Sequence, residues 1–279
     1  MQNQQKLKEY TTGIVTGASS GIGSAIAVAL AQRYKAKLVL NGRNEASLQE
    51  TAELVEGAGG KAICVIGDIA KDNLASSIVD TCLEKYGSVD LLINNAGFAK
   101  PGKVTSLNLK DWQDVFAVNF FAPLQSIYQA LPHMLKSGGG KIVNIASVAG
   151  KIAFPGSVCY AASKFALTGM SEGMAAELAN RNIDVITVCP GWVRSDFFSK
   201  NKMSDDNNPT KIAETSGFKG WIMRNVLSIS SETCALETLR AMEKGGGQEI
   251  ILTAPGIVAE RVNAICPNLV TRLVSMARN

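Results

Sequence analysis

Histidine is almost missing from this chain: His133 is the only one in 279 residues. It falls in a predicted helix over 111–136, and no Gly-x-Ser-x-Gly elbow occurs elsewhere, so a serine-histidine-acid triad has nowhere to assemble. Cys-x-x-Cys spacings are also absent. The six cysteines (Cys64, Cys82, Cys159, Cys189, Cys234 and Cys266) are scattered, mostly among apolar neighbours. This excludes a disulfide framework or a zinc site and fits the reduced thiols of a cytosolic protein. Cys159, although beside Tyr160, reads as a small packing residue. No stretch reaches the roughly 18 uninterrupted apolar residues of a membrane span. The polar opening Met1-Gln2-Asn3-Gln4-Gln5-Lys6 lacks the apolar segment of a secretory signal. A transmembrane segment and export are therefore not expected, and a cytoplasmic location is. The net charge is only +4, with no run of lysine and arginine, so nucleic acid is not an expected partner.

What is present is an ordinary globular composition, 46% hydrophobic and 19% charged, laid out as an alternation. Short runs rich in Val, Ile and Leu predict strands at 13–16, 37–41, 61–66, 91–94, 141–146, 184–189 and 249–252. Amphipathic stretches between them predict helices at 21–33, 45–56, 74–86, 111–136, 157–180 and 231–243. Strands that are apolar throughout belong to a parallel sheet covered on both faces and joined by right-handed crossovers. The expectation is an α/β fold: a doubly wound parallel sheet of about seven strands, with helices on both faces and ligands beyond the carboxyl ends of the strands. The pattern runs without an internal repeat, as one domain over 1–279.

Two clusters carry chemistry. In Thr16-Gly17-Ala18-Ser19-Ser20-Gly21-Ile22-Gly23 the glycines join the first strand to the first helix. There they let the backbone turn tightly and approach a pyrophosphate at the exposed N–H groups of the helix N-terminus. At the end of the second strand a carboxylate would bind a ribose 2′-hydroxyl, whereas an arginine would accept a 2′-phosphate. Leu40-Asn41-Gly42-Arg43 offers no carboxylate. The planar guanidinium of Arg43 suits phosphate through paired hydrogen bonds, so NADP(H) is the expected cofactor, with Asn41 assisting; an exposed arginine at a helix start is the other reading.

The second cluster is Tyr160 and Lys164, four apart in Tyr160-Ala161-Ala162-Ser163-Lys164, downstream of Ser147. On a helix these two lie one above the other. A fixed ammonium within roughly 4–6 Å draws a phenol down from its usual value near 10. Tyr160 then passes a proton to or from a substrate oxygen, and Ser147 supplies the hydrogen bond that polarises a carbonyl. Tyrosine and lysine also meet at this spacing on surfaces with no chemistry. The order of motifs along the chain decides between the two: the glycine turn, Asn94-Asn95-Ala96-Gly97, Asn119, Ser147, Tyr160 with Lys164, then Pro190-Gly191.

In that order the motifs resemble those of the short-chain dehydrogenases/reductases, from about Thr12 to Ser195. The resemblance implies a Rossmann fold and a catalytic tetrad of Asn119, Ser147, Tyr160 and Lys164. Lys164 would hold the nicotinamide ribose hydroxyls and bias Tyr160, and Ser147 would donate to the substrate oxygen. Asn119 would use a local kink in its helix to place a water that refills the proton relay; a solvent-facing, idle asparagine is the alternative. The resemblance also implies a cofactor surface: Gly17, Ser19, Ser20, Gly21, Ile22 and Gly23 at the pyrophosphate, Asn41 and Arg43 at the 2′-phosphate, and Asp68 with Ile69 at the adenine. Asn95, Ala96 and Gly97 would meet the adenosine ribose, with Asn94 steadying the sheet, and Tyr160, Lys164, Pro190, Gly191, Val193 and Ser195 would meet the nicotinamide end. For Asp68, capping the following helix is the alternative. Three positions carry family-level information: Gly42 stands where NAD-dependent members have aspartate, Ser195 replaces the usual threonine but keeps its hydroxyl, and Ala122 stands where glycine is common.

The segments expected to set specificity carry Val148, Phe154, Trp192, Phe197, Phe198 and Met203. Either they complete the core or they select a hydrophobic ketone, aldehyde or secondary alcohol. The polar stretch 200–211, inside 196–230, is a solvated linker or, as the resemblance implies, part of a substrate lid. Beyond Thr253-Ala254-Pro255-Gly256 the chain continues past the glycine-rich tail of the bacterial ketoacyl-carrier reductases. Leu269, Val270, Leu273, Val274 and Ala277 share one helical face there. This extension, about 255–279, docks on its own subunit, in a dimer or on a membrane surface. The resemblance further implies a homo-oligomer, dimer or tetramer, built through the helices that carry Asn119 and Tyr160. The expected function is an NADP(H)-dependent oxidoreductase that interconverts a carbonyl and a secondary alcohol, with no metal. A 3-oxoacyl thioester reductase and a non-catalytic NADP(H)-sensing protein are the alternatives. The C-terminal extension argues against the first, the complete tetrad against the second.

Overall fold

Successive side chains along a strand point to opposite faces, and in the central strands here both faces are buried. The computed structural model describes residues 11–71, 73–194 and 228–276, with side chains as far as Arg272. β1 (Thr12–Val15), β2 (Lys37–Gly42), β3 (Lys61–Ile66), β4 (Leu91–Asn94), β5 (Gly140–Ile145) and β6 (Ile183–Cys189) enter one parallel sheet. β7 (Trp192–Arg194) and β8 (Ser228–Ser230) form a separate parallel pair, and β9 (Gln248–Ile251) completes the main sheet. Its seven strands are ordered β3-β2-β1-β4-β5-β6-β9.

Val15, Leu38, Leu40, Ile93, Val143 and Val188 pack under α1 (Gly21–Tyr34) and α2 (Glu45–Gly57) on one face of the sheet. The alternate residues Ile14, Val39, Leu92, Ile142 and Val185 pack on the other face, under α3 (Leu74–Tyr86) and later helices. Because the strand order reverses between β1 and β4, a crevice opens at their carboxyl ends, where Thr16-Gly17 and Asn95-Ala96-Gly97 leave the sheet. At the opposite edge Lys141, 2% exposed, is paired with Asp184.

Elements predicted from periodicity appear within a residue or two of their expected bounds, and one region differs. The helix expected over 111–136 is α4 (Leu109–Phe116), a π-helical segment (Ala117–Phe121) and α5 (Ala122–Lys136). It starts earlier because Asn108 and Asp111 form a reciprocal capping box. α6 (Val158–Leu178) and α7 (Ser231–Lys244) follow expectation. The C-terminal extension opens with α8 (Ala254–Ile265), whose first turn carries Pro255-Gly256, where a proline's fixed φ and missing N–H suit a helix start. α9 (Pro267–Met276) follows. Within the chain, Val270 of this extension, 7% exposed, is buried with Val148 and Ile152, while Leu269 is 49% exposed. Among the described residues no helix is long and apolar enough to cross a membrane, and no cluster suits a metal ion. The six cysteines are free thiols, Cys266 exposed. Ser195, Phe197, Phe198, Met203 and the expected lid lie outside the described residues, except that 228–230 forms β8.

Candidate active site

The glycine turn is built by Thr16. Its hydroxyl accepts from the backbone N–H groups of Asn95 and Ala96, each at 3.0 Å. Asn95 returns the link, its amide donating to the carbonyls of Thr16 at 2.9 Å and Gly17 at 3.1 Å. Gly17 has φ +65°, and a Cβ there would lie 2.8 Å from the Ala96 Cα. Conformation and space both demand glycine. Thr16 and Asn95 therefore clamp the carboxyl ends of β1 and β4 together. Asn94 extends the brace through Asn144 (2.9 Å) to Ser171 on α6 (2.8 Å).

From this turn α1 begins at Gly21, with Ser20 at the N-cap but not capping through its side chain, and with no acidic residue in the first turn. An N-terminus left to donate its N–H groups, with no local carboxylate competing, fits a pyrophosphate. Ile22 packs on the core beneath it.

At the end of β2, Gly42 is buried and Arg43 exposed. A Cβ on Gly42 would stand 1.9 Å from the Ser19 Oγ, so the Ser19 hydroxyl would have to turn aside for an aspartate side chain. One expectation for this end changes. Asn41 is 1% exposed, and its amide donates to the carbonyls of Val65 (3.0 Å) and Gly67 (3.3 Å); it braces β3 and does not face a ligand. Asp68 accepts from Ala70 N–H at 3.1 Å, holding the turn before α3, whose own N-cap is Asn73. Ile69 is 5% exposed in the core, so only its backbone can serve an adenine.

At the other end of the crevice, Ser147 leaves β5 and caps the short helical turn Val148–Gly150, its Oγ accepting from Ala149 N–H at 3.1 Å. It is also hydrogen-bonded to the side chain of Tyr160 on α6. Lys164, one turn further along α6, is 3% exposed. Its Nζ donates to the Ile145 carbonyl at 2.8 Å and lies 5.8 Å from the Tyr160 ring centroid. A Cβ on Gly97 would fall 3.5 Å from this Nζ and 3.1 Å from the Asn119 Oδ1. The strand ends thus bring Asn119, Ser147, Tyr160 and Lys164 to one place.

Electrostatics there depart from expectation. Burial pushes the Tyr160 phenol up to about 12, against the hydrogen bond from Ser147 that lowers it, while neighbouring Cys189 raises it further. Burial also brings Lys164 down to about 8, although Cys189 opposes that. Desolvation disfavours the charged form of both groups, and for the phenol this acts in the direction opposite to the lowering expected from the ammonium.

Asn119 is fully buried, not solvent-facing. Its Oδ1 accepts from Phe98 N–H and its amide donates to the Phe98 carbonyl, both at 3.0 Å, and to the Ser163 Oγ at 2.9 Å. It sits in the π-helical segment for a reason visible in the sequence. Pro123 has no N–H, so the carbonyl of Asn119 lacks the donor an α-helix would provide four residues on. Ser163, itself buried, donates to the Tyr160 carbonyl at 2.7 Å. Sequence reasoning gave no role to Thr16 or Ser163, and the only signal was their place inside quoted motifs. Pro190 accepts from Val148 N–H at 2.9 Å, and Val193 is buried in β7. Phe154 and Trp192 are 39% and 44% exposed, whereas Val148 is buried.

The short chain dehydrogenase family profile matches residues 11–206. An uncharacterized oxidoreductase of Thermotoga maritima is 39% identical over 183 residues, 66% of this chain and 72% of its own. A CLA biosynthesis dehydrogenase/reductase of Lactiplantibacillus plantarum is 32% identical over 266 residues, 90% of this chain and 91% of its own. A short chain dehydrogenase/reductase of Burkholderia phymatum, solved in complex with NAD, superposes with a TM-score of 0.80 at 25% identity, covering 95% of this chain and 96% of its own. With its glycine turn at the reversal of strand order and its match running through both β1 and α6, the chain belongs to the short-chain dehydrogenase/reductase family of oxidoreductases.

Proposed function

We propose that this protein is an NADP(H)-dependent reductase of hydrophobic carbonyl compounds, or a dehydrogenase of the corresponding secondary alcohols. The observation that carries the reading is the hydrogen-bonded pair Ser147–Tyr160 beside the buried Lys164. A nicotinamide dinucleotide bound in the crevice supplies or receives the hydride. The chain's residues handle the proton. Ser147 donates to the carbonyl oxygen. Tyr160, a neutral phenol at physiological pH, gives its proton to that oxygen as the carbon gains hydride, leaving C–OH and a phenolate. Lys164, still charged at neutral pH, stabilises that phenolate. Asn119 holds the segment before α4 at Phe98 and joins it to α6.

Three features support NADP(H) over NAD(H): no carboxylate ends β2, the Ser19 hydroxyl lies against Gly42, and Arg43 is exposed beside it. Apolar Phe154 and Trp192, partly exposed, and buried Val148 after Ser147 support a hydrophobic substrate. Exposed Leu109, Phe121, Tyr128 and Phe165 on α4 to α6 support self-association through those helices. A second reading, reduction of 3-oxoacyl thioesters, is favoured by relatives of that name, such as a Staphylococcus epidermidis enzyme 32% identical over 195 residues.

The test is NADPH and NADH consumption by purified protein across hydrophobic ketones, aldehydes, quinones and 3-oxoacyl thioesters. Turnover with NADPH that falls by about 10²–10⁴ in Tyr160→Phe, with NADPH still bound, is the expected result. Equal or better turnover with NADH refutes the cofactor assignment, and unchanged turnover in Tyr160→Phe refutes the role of Tyr160.

A further inference from the structure

The family profile ends at residue 206, yet helices α8 and α9 beyond it reach the candidate active site. We propose that this C-terminal helix pair is a positioning element of the site, holding the turn that carries Ser147 through the packing of Gly256 and Val270 around Val148. The proposal rests on the carbonyl-chemistry reading, in which Ser147 orients substrate oxygen and Tyr160.

Val148 follows Ser147 directly and is held from several sides. Its N–H donates to the Pro190 carbonyl at 2.9 Å. Its side chain is buried in a cluster with Ile152 and Val270, against which Ile251, Ala259 and Val262 pack. A Cβ added to Gly256 would lie 2.8 Å from the Val148 Cγ2. That glycine sets the first turn of α8 directly on the residue after Ser147.

The same helix start meets the Pro190-Gly191 side of the crevice. A Cβ on Gly191 would lie 2.4 Å from the Thr253 Oγ1, and Leu252 N–H donates to the Cys189 carbonyl at 3.2 Å. On the far side of the turn, Asn263 on α8 donates to the Lys151 carbonyl at 3.2 Å. The Lys151 ammonium pairs with Glu249 on β9 (2.8 Å) and Glu172 on α6 (2.9 Å). The turn from Ser147 to Ile152 is therefore gripped at both ends by the C-terminal segment. Close positioning matters because a displacement of about 1 Å at a reacting group costs up to roughly 10²-fold in rate.

The test uses the full chain with Val270→Ala, Gly256→Ala as an independent perturbation of the same contact, Val270→Ile as the conservative rescue and Ile265→Ser as an exposed control. Two readouts are needed. Amide hydrogen exchange follows Val148–Ile152, and kcat is measured with NADPH and the best carbonyl in the wild-type and Ser147→Ala backgrounds. In Val270→Ala and Gly256→Ala the turn should exchange faster while β5 amides keep their protection. The kcat should fall by about tenfold with the NADPH dissociation constant unchanged, and Val270→Ile should restore it. In the Ser147→Ala background the same substitutions should have no further effect, because a residue acting through Ser147 is silent once Ser147 is gone.

Equal losses in both backgrounds, or faster exchange with unchanged kcat, would overturn the proposal and leave α8 and α9 a purely stabilising cap. Absence of turnover in the wild type would sink the function proposed above instead. The exchange arm would then decide whether the helix pair holds the turn, and unaltered exchange would overturn the proposal by itself.

Discussion

Lys164 holds its Nζ 5.8 Å from the ring centroid of Tyr160 while donating to the Ile145 carbonyl at 2.8 Å. Lys164 is buried and Tyr160 half-buried, and desolvation drives each toward its neutral form, to about 8 and about 12. The group that titrates closest to neutrality is therefore the lysine. Tyr160 keeps its proton across the physiological range, the form a general acid needs for carbonyl reduction.

A pH profile of kcat/KM for reduction should accordingly fall as pH rises through about 8, when Lys164 loses its charge and the developing phenolate loses its partner. Lys164→Arg, whose charge persists to far higher pH, should be slower but show no such limb. A wild-type profile flat up to pH 10 would assign the charge on Lys164 no part in the reaction.

The same burial has a stability consequence. The folded-state value of Lys164 lies below its ordinary 10.5, so the unfolded chain binds the extra proton between about pH 8 and 10.5. Keeping the ammonium buried costs stability at neutral pH, and the cost fades as pH rises through that window. Lys164→Met should therefore be inactive yet more stable at pH 7, by up to about 3 kcal/mol, with its advantage shrinking toward pH 10. Calorimetry of both proteins at several pH values reads this, and a less stable variant at pH 7 would mean that the contact with Ile145 outweighs desolvation.

The parts of the fold legible in sequence were those set by local periodicity and by motif order. Apolar runs give the strands, because a strand buried on both faces is made mostly of Val, Ile and Leu. The glycine turn and the Tyr160/Lys164 spacing are equally local. What stayed hidden depends on contacts between distant residues. Asn41 looked like a ligand for phosphate until β3 placed two carbonyls beside its amide. The lowering expected for Tyr160 was a pairwise argument, and desolvation, a property of the whole surround, acts in the opposite direction. The seating of Gly256 on Val148 is likewise a contact between distant residues.

Ser163 ties the long helices together: it donates to the Tyr160 carbonyl at 2.7 Å and accepts from Asn119 at 2.9 Å. Ser163→Ala should destabilise by about 1–3 kcal/mol in urea unfolding, since it removes a buried acceptor from the Asn119 amide. Asn119→Ala should cost more, because Phe98 then loses partners for both its N–H and its carbonyl. A variant of either kind as stable as wild type would show that the segments are held by apolar packing alone.

Cofactor choice can be turned only by two changes together. In an NAD(H)-selective site a carboxylate at the end of β2 takes the ribose hydroxyls, and Gly42 occupies that place. A Cβ at residue 42 lies 1.9 Å from the Ser19 Oγ and 3.2 Å from its Cβ, so Gly42→Asp alone should weaken NADPH binding and improve NADH little, because the Ser19 side chain must first give way. Ser19→Gly clears that room. With both substitutions the ratio of kcat/KM for NADH over NADPH should rise by at least about tenfold over the single Gly42→Asp variant, as expected for gaining one charge-assisted hydrogen bond of about 1.5–3 kcal/mol. Should Gly42→Asp by itself deliver the full switch, Ser19 yields to the new side chain and the steric account of NADP(H) preference fails. Arg43 would then carry that preference alone.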